Sequence, residues 1–358
     1  MRDVEDRQPL HRQIYCDLER RISTGEIRYM EQIPPLPSLC ARYGVSAITV
    51  RKALDELARD GLIIKHRGRG KGTFAIKRLA RTRIRVMLIA SFDIYKSPIE
   101  TCHEVFDLLA GIREAAAECG SEVQFISSVG FDSLPKAEAD TGYLIIAMTW
   151  AEYEQGALLA ARHQAPCVLV NPPQAGYECI RVDMEQGAFL GVNYLIQLGH
   201  RRIAYLGATH GDWFAPRISG YHKALAANGL ESDPALVCKT NGIDPQQDWQ
   251  ALDSLLALPA PPTAVFATSD HRALHLMAYC KREAILVPQQ LSICGYDNIQ
   301  EASSIQPAVT TIHHPRQELG KSAVEMLARL LKGETPEIKD VVISPQLMVR
   351  DSCGAPRR

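Results

Sequence analysis

PLHRQIYCDLERRISTGE (residues 9–26) and IPPLPSLCARYGVSAITVRKALDELARDGLIIKHRGRGKGTF (residues 33–74) carry the pattern from which the rest of the chain is read. Pro9 suits the first turn of a helix, where a missing N–H costs nothing. Leu10, Ile14, Leu18 and Ile22 then recur every four residues as one apolar stripe, and Gly25 supplies the stop. A second, short helix is expected over 37–43. Gly44-Val45-Ser46 follows as a turn, with Ser46 a natural N-cap for a third helix that runs to about Asp60 and is ended by Gly61. That helix should bury Val50, Ala53, Leu54 and Leu57. Ala47, Thr49, Arg51 and Lys52 are left on an exposed amino-terminal half. Residues 62–64 and 73–75 read as two strands. Their connection, Arg67-Gly68-Arg69-Gly70-Lys71-Gly72, is a basic, glycine-broken tip whose backbone can approach a phosphate.

Charge sharpens this reading. The chain has 358 residues and a net charge of −1, but residues 1–82 hold 17 Lys and Arg against 10 Asp and Glu. The remainder holds 23 against 31. Between 59 and 85 there are ten basic residues and one Asp. A basic head on an acidic body is the distribution expected when only the head meets a polyanion. Helix, turn, second helix and β-wing are the parts that place one helix in the major groove of duplex DNA with a ribbon beside it.

The head resembles the winged helix-turn-helix of the GntR family of bacterial transcription regulators. The resemblance rests on PL-x-x-QI (Pro9 to Ile14), Gly44-Val45-Ser46, Thr49-Val50-Arg51-x-Ala53-Leu54, Asp60-Gly61-Leu62-Ile63 and Gly72-Thr73-Phe74. It implies that Arg51 reads a base and that Ser46 and Thr49 hold phosphates, with Lys52 beside them. It places Arg67 and Gly68 at the wing tip that enters the minor groove, and a tip one residue longer than the family's adds Arg69 and Lys71. Pro37 and Ala47 stand where the family has arginines, so the operator sequence does not carry over.

From about residue 83 apolar strands alternate with helices. Strands are expected at 85–90, 123–126, 143–147, 167–170, 203–206, 264–267 and 292–294. Helices are expected at 105–119, 186–198, 220–227 and 273–281, with a last one from near Pro315 to Leu331. This alternation implies parallel sheets covered on both faces, with functional groups at the carboxyl ends of the strands. Asp93, Trp150, Asn171, Asp270 and Asp297 all fall there. An Asp or Ser after a strand is most often a helix cap, but several polar residues on one rim mark a cleft.

The body resembles the effector-binding domain of the LacI/GalR family, with its periplasmic-binding-protein fold. The matching pieces include Val182-Asp183-Met184-Glu185-Gln186-Gly187-Ala188, Leu198-Gly199-His200-Arg201-Arg202-Ile203, Arg217-Ile218-Ser219-Gly220-Tyr221, Ser269-Asp270, Cys294-Gly295-Tyr296-Asp297-Asn298 and Val309-Thr310-Thr311-Ile312. The resemblance implies two lobes joined by three crossings, with a small molecule, often a sugar or nucleobase, clamped between them. Asn171, Arg217, Ser269 and Asp297 occupy its ligand-contacting positions. An Arg and an Asp together can grip a vicinal diol, and Trp150, Trp213 or Phe214 can stack on a sugar face. A GntR-type head on a LacI-type body is the architecture of the arabinose-type repressors.

The expected organisation is therefore α/β: a winged helix-turn-helix over 1–76, a linker over 77–82, and a two-lobed domain over 83–358. Its first lobe is expected to span about 83–181 and 312–339, and its second about 182–311 and 340–358. Ten cysteines with no C-x-x-C pair form neither a disulfide framework nor zinc spacing. The charged start MRDVEDRQ lacks a secretory h-region, and no apolar run reaches the length of a membrane span, which points to the cytoplasm. Catalytic signatures fail. Gly320-Lys321-Ser322 lacks the upstream glycine of a phosphate-binding loop, Gly68-x-Gly70-x-Gly72 has the wrong spacing for a dinucleotide, and there is no G-x-S-x-G. Adjacent His313 and His314 point apart in a strand and suit no metal. The expectation is a cofactor-free, metal-free homodimeric repressor of sugar-utilisation genes, bound to double-stranded operator DNA and released by a sugar. A co-repressor type that binds a nucleobase or phosphorylated ligand, and a Rossmann-like enzyme, are the alternatives.

Overall fold

The four-residue spacing of Ile14, Leu18 and Ile22 becomes one face of helix α1, Leu10–Ser23, and all three side chains are buried. Leu10 departs from the expected stripe and is 57% exposed, because it opens the helix beyond the reach of the core. Strand β1 (Gln32–Ile33), helix α2 (Leu36–Tyr43), helix α3 (Ala47–Arg59), strand β2 (Ile63–His66) and strand β3 (Gly72–Ala75) complete the head. Gly44 ends α2 in the left-handed region at φ 63°, where a side chain would be strained. Val50, Ala53, Leu54 and Leu57 face inward, as their spacing predicts. Strand β1 pairs antiparallel with β3 and brings Ile33 into the core. Two hydroxyls pin α1 to its neighbours: Tyr43 donates to Asp17 and Tyr15 to Asp60, each at 2.7 Å.

This is a computed structural model. It describes residues 9–23, 26–27, 30–66, 72–76, 83–88, 99–127, 140–147, 149–173, 175–207, 214–240 and 244–357. The chain divides into two units, Met1–Thr82 and Arg83–Arg358. Residues 77–82, read above as a linker, lie outside the described ones.

The second unit runs β4 (Arg83–Leu88), α4 (Ile99–Glu118), β5 (Glu122–Ser127), β6 (Thr141–Ile146), α5 (Trp150–Arg162), β7 (Cys167–Val170), β8 (Cys179–Val182), α6 (Met184–Gln197), β9 (Ile203–Gly207), α7 (Ala215–Ala227), β10 (Val237–Lys239), α8 (Pro245–Leu256), β11 (Ala264–Ala267), α9 (Asp270–Arg282), β12 (Ser292–Asp297), α10 (Gln300–Ser304), β13 (Thr310–His313), α11 (Arg316–Leu331), β14 (Asp340–Ile343) and β15 (Gln346–Met348). Two six-stranded sheets result, ordered β14-β8-β7-β6-β4-β5 and β10-β9-β11-β12-β13-β15. All pairings are parallel except β13 with β15.

Side-chain parity shows both faces of each sheet covered. Leu144, Val168 and Val170 pack under α4 and α11 with Leu319 and Leu327, while Tyr143, Ile145 and Leu169 pack under α5 with Tyr153. In the second sheet Leu206, Val265 and Ile293 meet α9, and Tyr205, Phe266 and Tyr296 meet α6 and α7. Each fully buried side chain of this size contributes about 1.5–3 kcal/mol relative to exposure.

The chain passes between lobes at Asp183, at His314-Pro315 and at Ser344-Pro345. The expected lobe boundaries need correction here. Residues 340–343 form the outer strand of the first sheet beside β8, and only 346–348 join the second. Residues 312–313 likewise belong to the second sheet, as the end of β13. A strand's partner is set by what lies beside it in space, and the tail visits both sheets in turn.

Candidate functional site

The head presents one face for contact. Ser46 caps α3 by accepting from the Thr49 backbone N–H at 3.4 Å, and the two hydroxyls lie 3.0 Å apart. The cap starts the helix sharply, and one face of its first two turns stays exposed while Val50 and Ala53 face the core. Arg51 and Lys52 are exposed there. Ile48 is exposed too, at 78%, on the same face as Arg51 and Lys52 three and four residues on. Sequence reading missed Ile48, although an isoleucine two residues after an N-cap and outside the buried set is itself a signal. Arg67, Gly68, Arg69 and Lys71 lie outside the described residues, as do Asp93 and Trp213 of the body.

The second site is built where the chain crosses between lobes. Asp297 ends β12 with φ +117°, followed by Asn298 at 59°, and Asn171 follows β7 at 55°. Three non-glycine residues with positive φ, at strand ends of the two sheets, is strain of the kind that gathers at ligand sites. Asp297 Oδ1 accepts from Arg316 Nη2 at 2.8 Å and lies 3.6 Å from Arg217 Nη2. Arg217 is buried in the first turn of α7. Its guanidinium lies over the Tyr296 ring at 4.1 Å, and its Nη1 donates to the Thr268 carbonyl at 2.5 Å. Asn171 accepts the Val182 N–H on its amide oxygen at 3.1 Å, and its Nδ2 faces His314 Nε2 at 3.5 Å. Burial first, then the charges of Arg316 and Arg217, hold His314 well below the usual imidazole range, so it stays neutral. His313 turns the other way, toward Asn298.

Of the expected effector contacts, the structure brings Asn171, Phe214, Arg217 and Asp297 into this cluster, with Phe214 beside the Arg217 guanidinium at 5.6 Å. Trp150 lines a cavity of about 760 Å³ with Pro172, Pro173, Arg181, Asp183 and Ser219. Ser269 is the N-cap of α9 and accepts from the Arg272 N–H at 3.4 Å.

Asp270, also expected among the contacts, is held by the protein's own groups. It is fully buried; one oxygen accepts from the Ile299 N–H at 2.9 Å and the other lies 2.5 Å from the Thr311 hydroxyl. Burial, and then the charge of Asp297, push its carboxyl up to about 8. It sits directly behind Gly295, where an added Cβ would come within 2.1 Å of Asp270 Oδ1. Its work is to hold the turn that carries Asp297. Sequence reading also missed Arg316 and Arg272, the second of which reaches the Phe214 ring at 5.7 Å.

Among the described residues, no group of three or more His, Cys, Asp or Glu is placed to hold a metal ion, and no helix is long and apolar enough to cross a membrane. Residues 10–74 match the family described as bacterial regulatory proteins, gntR family, and residues 192–353 match the periplasmic binding protein-like domain. The arabinose metabolism transcriptional repressor of Geobacillus stearothermophilus is 26% identical over 96% of this chain and 97% of its own. The HTH-type transcriptional repressor CytR of Escherichia coli strain K12 is 34% identical over 54% of this chain; the match spans 58% of that protein's length. A crystal structure of a LacI family transcriptional regulator from Mycobacterium smegmatis is 25% identical with a TM-score of 0.61, over 76% of this chain and all of that one. These relatives are named as regulators of transcription, not as enzymes.

Proposed function

We propose that this chain, which joins a gntR-family helix-turn-helix domain to a periplasmic-binding-protein-like domain, is a repressor whose grip on operator DNA is set by a small molecule bound between the two lobes of its body. The observation that carries the reading is the Ser46-capped start of α3. It exposes Ile48, Arg51 and Lys52 on one face of a head whose charge is opposite to that of the body. Arg51 has the reach and planar donor fork to read a guanine edge, Lys52 and the Ser46 and Thr49 hydroxyls suit phosphates, and Ile48 suits a thymine methyl. Arg67, Gly68, Arg69 and Lys71 serve the wing, whose tip takes the minor groove and adjacent phosphates.

The body supplies the control. Asn171, Arg217 and Asp297 converge where the chain crosses from lobe to lobe, so a ligand that they hold favours one relation of the lobes over another. Differential affinity for two states is all that a switch requires. The protein acts in the cytoplasm as a homodimer on two half-sites, and ligand alters the spacing of the heads. The relative named for arabinose metabolism favours a sugar-derived effector and relief of repression on binding.

Fluorescence anisotropy of the full chain on operator and random duplexes, over a salt series, tests this. Arg51→Ala should cost about 1–3 kcal/mol on operator and relax preference at one base pair. Failure of the wild-type chain to bind any duplex in low salt would overturn the proposal.

A further inference from the structure

We infer that the effector carries an anionic group, a phosphate or a carboxylate, held between Arg217 and Arg272 on the second-lobe side of the cleft. The inference rests on the reading of that cleft as the effector site.

Arg272 lies in the first turn of α9, and its side chain is 5% exposed. Its guanidinium and that of Arg217 face one ring, Phe214, at 5.7 and 5.6 Å. Two buried guanidiniums on one ring are costly unless counter-charge offsets them. Among the described residues, the counter-charges are shared elsewhere. Asp297 gives its Oδ1 to Arg316 at 2.8 Å and stands farther from Arg217, at 3.6 Å. Asp248, fully buried, accepts from the Thr240 hydroxyl at 2.7 Å and from His275 Nδ1 at 2.8 Å, and lies 4.0 Å from Arg272 Nε. Asp270 is engaged by the Ile299 N–H and the Thr311 hydroxyl, and Asp183 is committed to the cap of α6. Among the described residues, three guanidiniums thus face two carboxylates.

Donors are also left over. Among the described residues, Arg217 Nε, Arg272 Nε and Thr268 Oγ1 are buried without a hydrogen-bond partner. The remaining bonds of Arg272 are long and go to neutral oxygens, Ser269 Oγ at 3.3 Å and the Thr240 carbonyl at 3.4 Å. Helices α7 and α9 both begin beside these guanidiniums, which adds two positive helix ends. Tyr296 and Phe214 hold the Arg217 fork in place before any ligand arrives. A neutral polyol would satisfy the hydrogen bonds and leave the positive surplus; an oxyanion satisfies both, through charge-assisted bonds. Burial holds the Arg272 pKa below the usual guanidinium range; the carboxylate of Asp248 opposes that shift, and the neighbouring cation Arg217 adds to it.

The test is titration calorimetry of the full chain with ribose, ribose 5-phosphate, gluconate and inorganic phosphate, on wild type, Arg217→Met, Arg272→Met and Arg272→Lys, each checked for folding by circular dichroism. We expect at least one charged probe to bind a hundredfold more tightly than ribose. Arg217→Met and Arg272→Met should each weaken it tenfold or more, and Arg272→Lys less. Ribose 5-phosphate against gluconate separates phosphate from carboxylate. If Arg272→Met does not fold, the wild-type comparison of ribose with the charged probes still decides. Ribose binding as tightly as the charged probes, weakened by Arg217→Met and indifferent to Arg272→Met, would overturn this inference and leave the cleft reading standing. Charged probes that bind but ignore both substitutions would overturn both. Binding by none of the charged probes overturns the inference.

Discussion

Replacing Arg316 by methionine should loosen the junction between the lobes. Arg316 begins α11, which packs on the first sheet, whereas Asp297 ends β12 of the second. Its Nη2 donates to Asp297 Oδ1 at 2.8 Å and its Nη1 to the Asp297 carbonyl at 3.3 Å, while Arg217 is a second cation at 3.6 Å. At an effective dielectric of ~20, unit charges at these two ion-pair separations attract by about 6 and about 4.6 kcal/mol before desolvation is counted. Arg316 therefore carries somewhat more than half of the attraction. The side chains are 10% and 2% exposed, so water does not replace a lost partner. Unpairing a buried charge costs about 3–5 kcal/mol when nothing else compensates it. Arg217 remains, and the net loss should be ~2 kcal/mol. For a unit of roughly 275 residues, an unfolding entropy of ~2.1 cal/mol/K per residue converts this to a Tm fall of about 3–4 °C. Calorimetry of wild type, Arg316→Met, Asp297→Asn and the double variant completes a cycle. Once Asp297 is neutral, loss of Arg316 should cost far less, a coupling of ~1 kcal/mol or more. Effects that add to within ~0.3 kcal/mol would refute the pair as a unit.

Three further outcomes are expected. Because the Asp270 carboxyl is raised to about 8 when folded, the fold favours its protonated form. Stability from that source is full below the unfolded pKa of ~3.9 and lost as pH climbs toward 8, by up to ~1.4 kcal/mol per unit. Unfolding measured from pH 5 to 9 should show the decline, and Asp270→Asn should flatten it; an unchanged slope in the variant would acquit the residue. Ile48→Ala should weaken operator binding by ~1 kcal/mol at one thymine, and uracil at that position in the wild-type operator should cost about as much; a loss spread evenly over all sequences would contradict the methyl contact. Lys52→Ala should lower the slope of log affinity against log salt by about 0.9 and leave base preference intact; an unaltered slope would remove Lys52 from the phosphate contacts.

Much of the head was legible because its signals are local. Ser46 caps three residues ahead, Gly44 and Gly61 stop helices on the spot, and the stripe Val50, Ala53, Leu54, Leu57 needs only its own helix. Strand β1 escaped because two residues carry no period, and it exists only where β3 supplies a partner some forty residues on. In the body the alternation of apolar strands and helices was plain, but the ownership of residues 340–343 was not, since nothing within that segment names its neighbour. The cleft divides in the same way. Arg217 and Asp297 came from motif resemblance, and the structure brings them within 3.6 Å. Arg316 and Arg272 did not, because their reach depends on a crossing between lobes and on a ring contributed by another helix. Asp270 and Asp297 look alike in sequence, each at or after a strand end; one turns under Gly295 and the other toward the arginines, a difference made by backbone conformation.

The division of the tail between the sheets has a practical consequence. Strand β14 closes the margin of one lobe and β15 that of the other, with two residues between them. Beyond them Ser352 is fully buried, bonded to Thr310 and Ile293, and the Gly354 carbonyl meets the His200 ring. A stop codon or a proteolytic nick just past Gly333 would therefore unzip both lobes at once and bare two ladders of unpaired amides ready to stack with other chains. Truncations meant to trim this end should aggregate rather than yield a smaller soluble body, and affinity tags belong beyond Gly354.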